Sequence, residues 1–252
     1  VVQLAWRLRG SEPRGWVPAY KYEFWRARSR AFEAMTTWRP LTVSLGLDPD
    51  GTESTALRVP HTFMDVVGWQ PTVGRTFSPD DDTPGAPAVA VLGYGLWQTR
   101  FAGDPDLVGR TVEIAGSPHT VVGVLPREFS FPQEFDGRVD VLLPLQLEAD
   151  PLDEREDYPL LARLAPGVDR AAAEADLARV YETFASEHPE LTNGSGAAMV
   201  VSSFAEPYVG GVNGTERLGM LQVRGESPEE AQRNLEELMR EVVVEIEPLP
   251  KA

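Results

Sequence analysis

A chain of 252 residues, of which 42% are hydrophobic, is long enough for one large or two modest domains with a buried core. Its 39 acidic residues outnumber 23 basic ones and give a formal net charge of −16, so electrostatic repulsion disfavours nucleic acid and anionic lipid surfaces as partners. The absence of cysteine excludes disulfides, thiolate catalysis and cysteine-based zinc sites.

The first part of the chain alternates between predicted strands and one predicted helix. Residues 1–8, 38–47 and 55–59 are typical of strands. Between the first two, residues 18–35 are predicted to form an amphipathic helix, because apolar residues recur at helical spacing. This apolar stripe consists of Tyr20, Phe24, Ala27 and Ala31.

Residues 56–132 carry short apolar runs separated by glycine and proline, which predicts a small, mostly β module. Residues 94–101 place three apolar side chains on one helical face, and a glycine and a proline follow as a stop signal. The two apolar runs on either side of Ala115–Pro118 predict a β-hairpin with a loop of four or five residues at that place.

Five motifs occur in order within this module. They are F-x-D-V-V-G-x-x-P-x-x-G-R-T-F (63–77), D-D-D-T-P-G-A-P (80–87), V-L-G-Y-G-L-W-Q-x-R-F (91–101), G-D-P-x-L-V-G-R-T (103–111) and V-V-G-V-L-P-x-x-F-x-F-P (121–132). In this order and spacing they resemble the extracytoplasmic (periplasmic) core domain of MacB-like ABC transporter permeases, the FtsX-related family. Residues 20–35, 160–168 and 200–211 resemble further parts of that domain, so the resemblance extends over residues 1–211.

The resemblance implies a non-catalytic domain at the extracytoplasmic face of a bacterial membrane, placed between two membrane helices of a permease. It further implies that the domain couples the motion of those helices to a periplasmic partner or substrate, in transport of the efflux, lipoprotein or signalling type. The implied partners are a separate ATP-binding subunit, reached through membrane segments, and a periplasmic protein or amphiphilic substrate. A homodimer of the full-length protein is also compatible with this family.

The second half of the chain contains an internal repeat, in which residues 160–184 align with residues 218–242. Each copy is a strand, an amphipathic helix and another strand, which predicts two βαβ units. A capping box with Ser227, Pro228 and Glu230 marks the start of the second helix. We expect the two units to pair into an open ferredoxin-like sheet with its helices on one face, which resembles the porter-like half of the family.

The predicted fold class is α+β, with a porter-like sheet built from βαβ units (ferredoxin-like) and an inserted, mostly β lobe that carries a short helix. We expect residues 1–47 and 158–211 to form the porter-like subdomain, residues 48–150 the inserted lobe, and residues 212–252 the second βαβ unit. The acidic residues 148–157 are predicted to form an exposed linker.

No stretch of the sequence approaches the roughly 20 apolar residues that a membrane helix requires. Because a permease should carry such helices, the sequence favours an excised, soluble ectodomain. Residues 212–252 continue past the point where the family enters the membrane. They are interpreted either as a later extracytoplasmic piece joined after removal of membrane segments, or as the native continuation of a soluble paralogue.

The sequence shows no constellation that predicts catalysis, metal binding or cofactor binding. His61, His119 and His188 lie in separate predicted elements, so we expect neither a zinc site nor a general base from them. The run Asp80–Asp82 lacks the alternating spacing of a calcium loop and is interpreted as a solvated acidic loop.

Six tryptophans are present, and most lie where a core face is expected. Trp16 and Trp69 stand next to glycine, so we expect them to be the most exposed and treat them as the candidate partner contacts. Two alternatives to a permease domain remain open, a free-standing secreted binding protein and a hydrolase. A hydrolase would require a cluster of titratable side chains with shifted pKa values in a cleft.

Overall fold

The computed structural model describes residues 1–8, 15–46, 53–129, 131, 139–150, 155, 158–192 and 197–203, and all of them belong to one compact unit, Val1–Phe204. The strands are β1 (Val2–Leu8), β2 (Trp16–Val17), β3 (Phe32–Thr37), β4 (Arg39–Ser44), β5 (Glu53–Val59), β6 (Val73–Gly74), β7 (Val89–Leu92), β8 (Thr111–Ile114), β9 (Ser117–Val124), β10 (Val141–Pro144), β11 (Tyr158–Leu164) and β12 (Ala197–Ser203). The α-helices are α1 (Ala19–Arg28), α2 (Phe63–Val67), α3 (Tyr94–Phe101) and α4 (Arg170–Glu187).

The first and last described strands build a ferredoxin-like sheet, which we define as strands β12, β1, β11 and β3 in that order. Strand β1 is antiparallel to both β11 and β12, and β11 is antiparallel to β3. The segments β1–α1–β3 and β11–α4–β12 are therefore two βαβ units, each split by a strand of the other unit. This arrangement confirms the predicted ferredoxin-like, α+β fold class.

Helices α1 and α4 cover one face of the ferredoxin-like sheet. Phe24 of α1 meets Phe184 of α4 edge to face, with ring centroids 5.1 Å apart. Helix α4 begins at the N-cap Asp169, whose carboxylate accepts a hydrogen bond from the backbone N–H of Ala172 over 2.8 Å. Ala173, Leu177 and Val180 continue the buried stripe of this helix. The residues of α4 that the repeat placed on one apolar helix face therefore pack together in one core.

The identity of the paired βαβ units differs from the sequence-based expectation. The unit around residues 160–184 was expected to pair with residues 218–242. Among the described residues it pairs instead with β1–α1–β3, because β1 fits between β11 and β12 over seven residue pairs with β12. Residues 218–242 lie outside the described part of the chain.

The residues between β3 and β11 form a second sheet, which we call the lobe sheet, in the order β4–β5–β10–β7–β9–β6 with β8 paired to β9. The pairs β5/β10 and β7/β9 are parallel. Strands β7 and β10 are buried along their whole length, as expected for strands covered on both faces. Since β4 pairs with β5 in this sheet, we propose that the lobe begins at β4 rather than at residue 48.

Helix α1 is shorter than the sequence predicted. The expected helix over residues 18–35 ends at Arg28, and strand β3 replaces its second half. A tertiary contact explains the stop, because the carboxylate of Asp176 on α4 accepts the backbone N–H groups of Arg30 and Ala31, at 2.6 and 3.0 Å. The predicted stripe is also shifted, since Ala27 is exposed and Tyr22 and Trp25 are buried instead.

The β8–β9 hairpin is present, but its loop is shorter than the four or five residues expected. Ile114 pairs directly with Ser117, which leaves a two-residue loop. Ala115 and Gly116 both have positive φ, 52° and 74°, as a type I′ turn requires. Helix α3 spans the residues predicted for it, 94–101.

Among the described residues, no helix combines the length and apolar character needed to cross a membrane. The expected second βαβ unit, residues 212–252, lies outside the described residues, as does most of the linker predicted at residues 148–157.

Candidate functional site

Strand β11 contributes side chains to the cores of both sheets. Leu160 and Ala162 belong to the core beneath α1 and α4, whereas Leu161 packs with α2 and the lobe sheet. Leu161 is completely buried, with 0% of its surface exposed. Because successive side chains of a strand face opposite sides, this one strand joins the two halves of the molecule. These halves are the ferredoxin-like sheet with its helices and the lobe sheet with its connecting segments.

The side chain of Arg163 adds a polar connection at the same junction. Its guanidinium donates hydrogen bonds to the backbone carbonyls of Asp65 and Val66, at 3.2 and 2.6 Å. These carbonyls lie in the last turn of α2, where a cation is favoured because the helix leaves carbonyl groups unpaired. Thr62, before α2, donates to the carbonyl of Met35 in β3 over 3.3 Å. Both ends of α2 are thus attached to the ferredoxin-like sheet.

The carboxylate of Asp82 holds together two connecting segments of the lobe. One oxygen accepts the backbone N–H of His61 and contacts its ring Nδ1, at 3.0 and 3.1 Å. The other accepts the backbone N–H of Gln146 over 2.9 Å. His61 follows β5 and Gln146 follows β10, so Asp82 fixes the ends of two neighbouring parallel strands relative to each other.

Asp81 stabilises the same loop from its other side. Its carboxylate accepts hydrogen bonds from the guanidinium of Arg75 and from the backbone and hydroxyl of Ser78, the latter two at 2.7 Å. Partial burial alone would raise the pKa of Asp81, but these hydrogen bonds outweigh it and lower the pKa to about 2. The run Asp80–Asp82 is therefore a structural turn in which two of the three carboxylates are bonded within the protein.

A cleft of about 230 Å³ lies between α1 and the loops that Asp82 organises. Glu23 and Arg26 line it from α1, His61 and Asp82 line it from the lobe, and Leu147 adds an apolar wall. Glu23 and Arg26 form an ion pair of 2.7 Å. This cleft is bounded by both halves of the molecule, so a change in their relative position would change its shape.

The charged groups of the cleft act on one another. Burial raises the pKa of Tyr22 far above its usual value, with smaller electrostatic effects from Arg26, Glu23 and Asp82. The hydrogen bond that the Arg26 guanidinium donates to Glu23 raises the pKa of Arg26, and the charge of Asp82 contributes in the same direction. Two carboxylates and one guanidinium therefore lie within electrostatic range of the Tyr22 hydroxyl.

The two candidate contact tryptophans lie in different environments. Trp16 in β2 is 37% exposed and belongs to a short strand that pairs with Tyr158 and Pro159. Trp69 is half-buried and meets Phe129 edge to face, with ring centroids 6.0 Å apart. Trp16 is therefore the more exposed of the two rings.

The three histidines have separate structural surroundings. The His61 ring contacts Asp82, the His119 ring lies 2.9 Å from the carbonyl of Ser117, and the His188 ring packs against Phe184. Within the described ranges, no group of three or more histidine or acidic side chains is placed to hold a metal ion.

Sequence reasoning missed the residues that build the junction and the cleft. Arg163 has a local signal, because it is the only charged residue in the apolar strand β11. Asp82 was noted only as part of an acidic run, since its partners, residues 61 and 146, are far from it in sequence. Arg26 and Glu23 carried no signal, because an i, i+3 ion pair on a helix is common.

The chain is similar to periplasmic domains of permeases. The family model of the MacB-like periplasmic core domain matches residues 3–180. A domain of a permease protein from Porphyromonas gingivalis has 19% identity and a TM-score of 0.55, and the match covers 81% of this chain and 88% of that one. The periplasmic region of MacB from Actinobacillus actinomycetemcomitans has 14% identity and a TM-score of 0.52, over 80% of this chain and 88% of that one.

At these low identities the structural likenesses show the fold alone, whereas the family match covers more than half of the chain. Among curated proteins, none matches the sequence. The family consists of non-catalytic periplasmic domains of transporters that work with ATP-binding subunits. From the agreement of motifs and fold, we conclude that the chain belongs to the MacB-like periplasmic core domains of ABC transporter permeases.

Proposed function

We propose that this domain transmits the motion of membrane helices to a periplasmic partner or substrate. The observation that carries the proposal is that Val2, at the start of β1, lies directly opposite Ser203, at the end of β12. Opposite residues of an antiparallel pair have Cα atoms about 4.5–5.5 Å apart. The two strands therefore leave the ferredoxin-like sheet side by side, as attachment to two neighbouring membrane helices requires.

The route from these strands to the lobe is short. Strand β1 pairs with β11, and Leu161 and Arg163 of β11 contact the lobe core and helix α2. A displacement of β1 would therefore reach the lobe through packed side chains and hydrogen bonds. Protein interiors are densely packed and transmit such displacements without much compression.

The groups whose pKa values are raised in the cleft, Tyr22 and Arg26, stay protonated at neutral pH and offer no general base, which favours a non-catalytic role. The shifted pKa values of Asp81 and Asp176 both have structural causes, because their carboxylates fix a turn and the start of β3, respectively. Neither carboxylate lines the cleft. The proposed partners are an ATP-binding subunit, reached through the membrane part of the permease, and a periplasmic protein or amphiphilic substrate.

The proposal can be tested in the full-length permease, reconstituted with its ATP-binding subunit in lipid nanodiscs. This domain contributes no cysteine, so in a permease whose other cysteines are replaced, single labels can be placed at Ala178→Cys on α4 and at Ser117→Cys on the lobe, both exposed positions. Energy transfer from each label to dyes in the lipid surface reports its height above the membrane. We expect a non-hydrolysable ATP analogue to change both heights together.

The double variant Leu161→Ala with Arg163→Ala provides the matched control. It should keep the nucleotide-dependent change at residue 178 and reduce the change at residue 117, because only the junction to the lobe is weakened. If nucleotide moves neither label in the unmodified permease, this domain does not transmit helix motion, and the proposal fails.

A further inference from the structure

The cleft between α1 and the lobe has the chemistry of a small-molecule site that is separate from the coupling role. Its carboxylates and its guanidinium come from two elements, with Glu23 and Arg26 on α1 and Asp82 on the loop that follows β6, and His61 and Thr62 after β5 add further polar side chains. Its volume of about 230 Å³ is large enough for a compound with few heavy atoms. Leu145 and Leu147 supply an apolar wall.

The hydrogen-bonding capacity of Arg26 is only partly used. A guanidinium has five N–H donors in one plane, and among the described residues the Arg26 side chain bonds only Glu23, over 2.7 Å. Glu23 in turn uses one carboxylate oxygen, Oε2, for this bond. The pair therefore presents remaining donors and a remaining acceptor next to each other.

The charges of the cleft discriminate between classes of ligand. A ligand with only negative charge would face two carboxylates, Glu23 and Asp82, in a chain of net charge −16. A ligand with only positive charge would be repelled by Arg26 and would compete with it for Glu23. A zwitterion avoids both penalties, because its anionic group can bond the planar guanidinium while its cationic group approaches the carboxylates.

We propose that this cleft binds a free amino acid with an aliphatic side chain, whose carboxylate bonds Arg26, whose ammonium faces Glu23 and Asp82, and whose side chain contacts Leu147. The ammonium and carboxylate must be on the same small molecule, since both contacts lie within one cleft. A peptide terminus carries only one of the two charges at its end residue. The site thus selects a free amino acid over a peptide.

The test is a titration of the complete, ¹⁵N-labelled chain with three related compounds, followed by NMR. L-Leucine carries both charges, L-leucinamide lacks the carboxylate, and N-acetyl-L-leucine lacks the ammonium. We expect L-leucine to produce saturable shifts of amides in residues 22–26, 61–62 and 80–83, with both analogues at least about tenfold weaker. Equal binding of an analogue, or no saturable shift with L-leucine up to about 50 mM, would overturn the proposal.

Two variants separate the roles of the charges. Arg26→Gln should abolish the shifts, whereas Arg30→Gln, an exposed arginine outside the cleft with the same change of charge, should retain them. Glu23→Gln should reduce the preference for L-leucine over N-acetyl-L-leucine, with Asp82 retaining the remainder. If L-leucine still binds Arg26→Gln as tightly as the unmodified chain, Arg26 is not the anchor and the proposed site is wrong. None of these outcomes depends on whether the domain transmits motion.

Discussion

The guanidinium of Arg163 donates a hydrogen bond to the backbone carbonyl of Val66 over 2.6 Å, and this bond crosses the junction between the two sheets. Arg163 belongs to β11 of the ferredoxin-like sheet, whereas Val66 belongs to the last turn of α2. The ferredoxin-like sheet thus supplies the hydrogen-bond donor for the C-terminal carbonyls of α2. The side chains of this helix pack into the core of the lobe. The bond is placed where the halves would separate if the junction opened.

Loss of this bond should weaken the whole unit. Arg163→Ala leaves the carbonyls of Asp65 and Val66 without their charged donor and should lower the free energy of unfolding by about 1.5–3 kcal/mol. Arg163→Lys should recover part of the loss, because an ammonium can reach one carbonyl but lacks the planar fork. Urea denaturation measures both. Arg127→Ala, at an exposed turn, is the control, and an equal effect of the two alanine variants would contradict a specific role for Arg163.

The Asp81 carboxylate should make stability depend on pH in acid. Burial alone would raise its pKa, but hydrogen bonds from Arg75 and Ser78 prevail and lower the pKa in the folded state from its ordinary value of 3.8 to about 2. A lowered folded-state pKa stabilises the protein above the unfolded pKa, and this contribution is lost as pH falls from about 4 to about 2. Because Arg75 is half-exposed, we expect a contribution of about 1–2 kcal/mol at neutral pH.

Asp81→Asn should therefore lower stability at pH 7 and flatten the decline of stability between about pH 4 and pH 2. Urea denaturation across this range gives the comparison. Asp80→Asn changes an exposed neighbour in the same turn and serves as the control for the loss of one negative charge. A parallel decline in the unmodified chain and in Asp81→Asn would show that Asp81 is not responsible.

Local sequence signals predicted elements whose geometry is set locally. The α3 helix and the β8–β9 hairpin lie where apolar spacing and Gly116 placed them, because their turns are specified by neighbouring residues. The end of α1 was missed, because it is determined by Asp176 on α4, which is distant in sequence. The candidate site was missed for the same reason, since Arg163 and Asp82 bond residues that are distant in sequence, and the cleft beside Arg26 forms only where α1 meets the loops of the lobe.

The hairpin loop offers a stabilising substitution. Ala115 adopts φ = 52°, a left-handed conformation that disfavours residues with a Cβ other than asparagine and aspartate. Ala115→Asn creates an Asn-Gly pair, which favours a type I′ turn, and should raise the free energy of unfolding by about 0.5–1 kcal/mol. Ala175→Asn, on the exposed face of α4, should instead lower it by about 0.5 kcal/mol, because asparagine is a poorer helix former than alanine. A loss of stability in both variants would argue against the type I′ assignment.

The two tryptophans proposed as partner contacts should respond differently to truncation. Trp16 is 37% exposed, so Trp16→Ala should lower the free energy of unfolding by only about 1 kcal/mol. Trp69 loses its contact with the Phe129 ring and with the lobe core, so Trp69→Ala should cost about 2 kcal/mol. Thermal and urea denaturation provide both values.

This comparison decides which residue remains a candidate for binding a partner, because a contact residue at a surface contributes little to folding. If the Trp16→Ala variant is stable, Trp16 remains the proposed contact. The same substitution in the full-length permease can then be assayed for loss of partner binding, because misfolding would not explain such a loss. Acrylamide quenching of tryptophan fluorescence gives an independent measure, since substitution of the more exposed ring should remove the more accessible emission. A large loss of stability in Trp16→Ala would show that Trp16 mainly packs in the folded core. Its exposure would then no longer support a role as a partner contact.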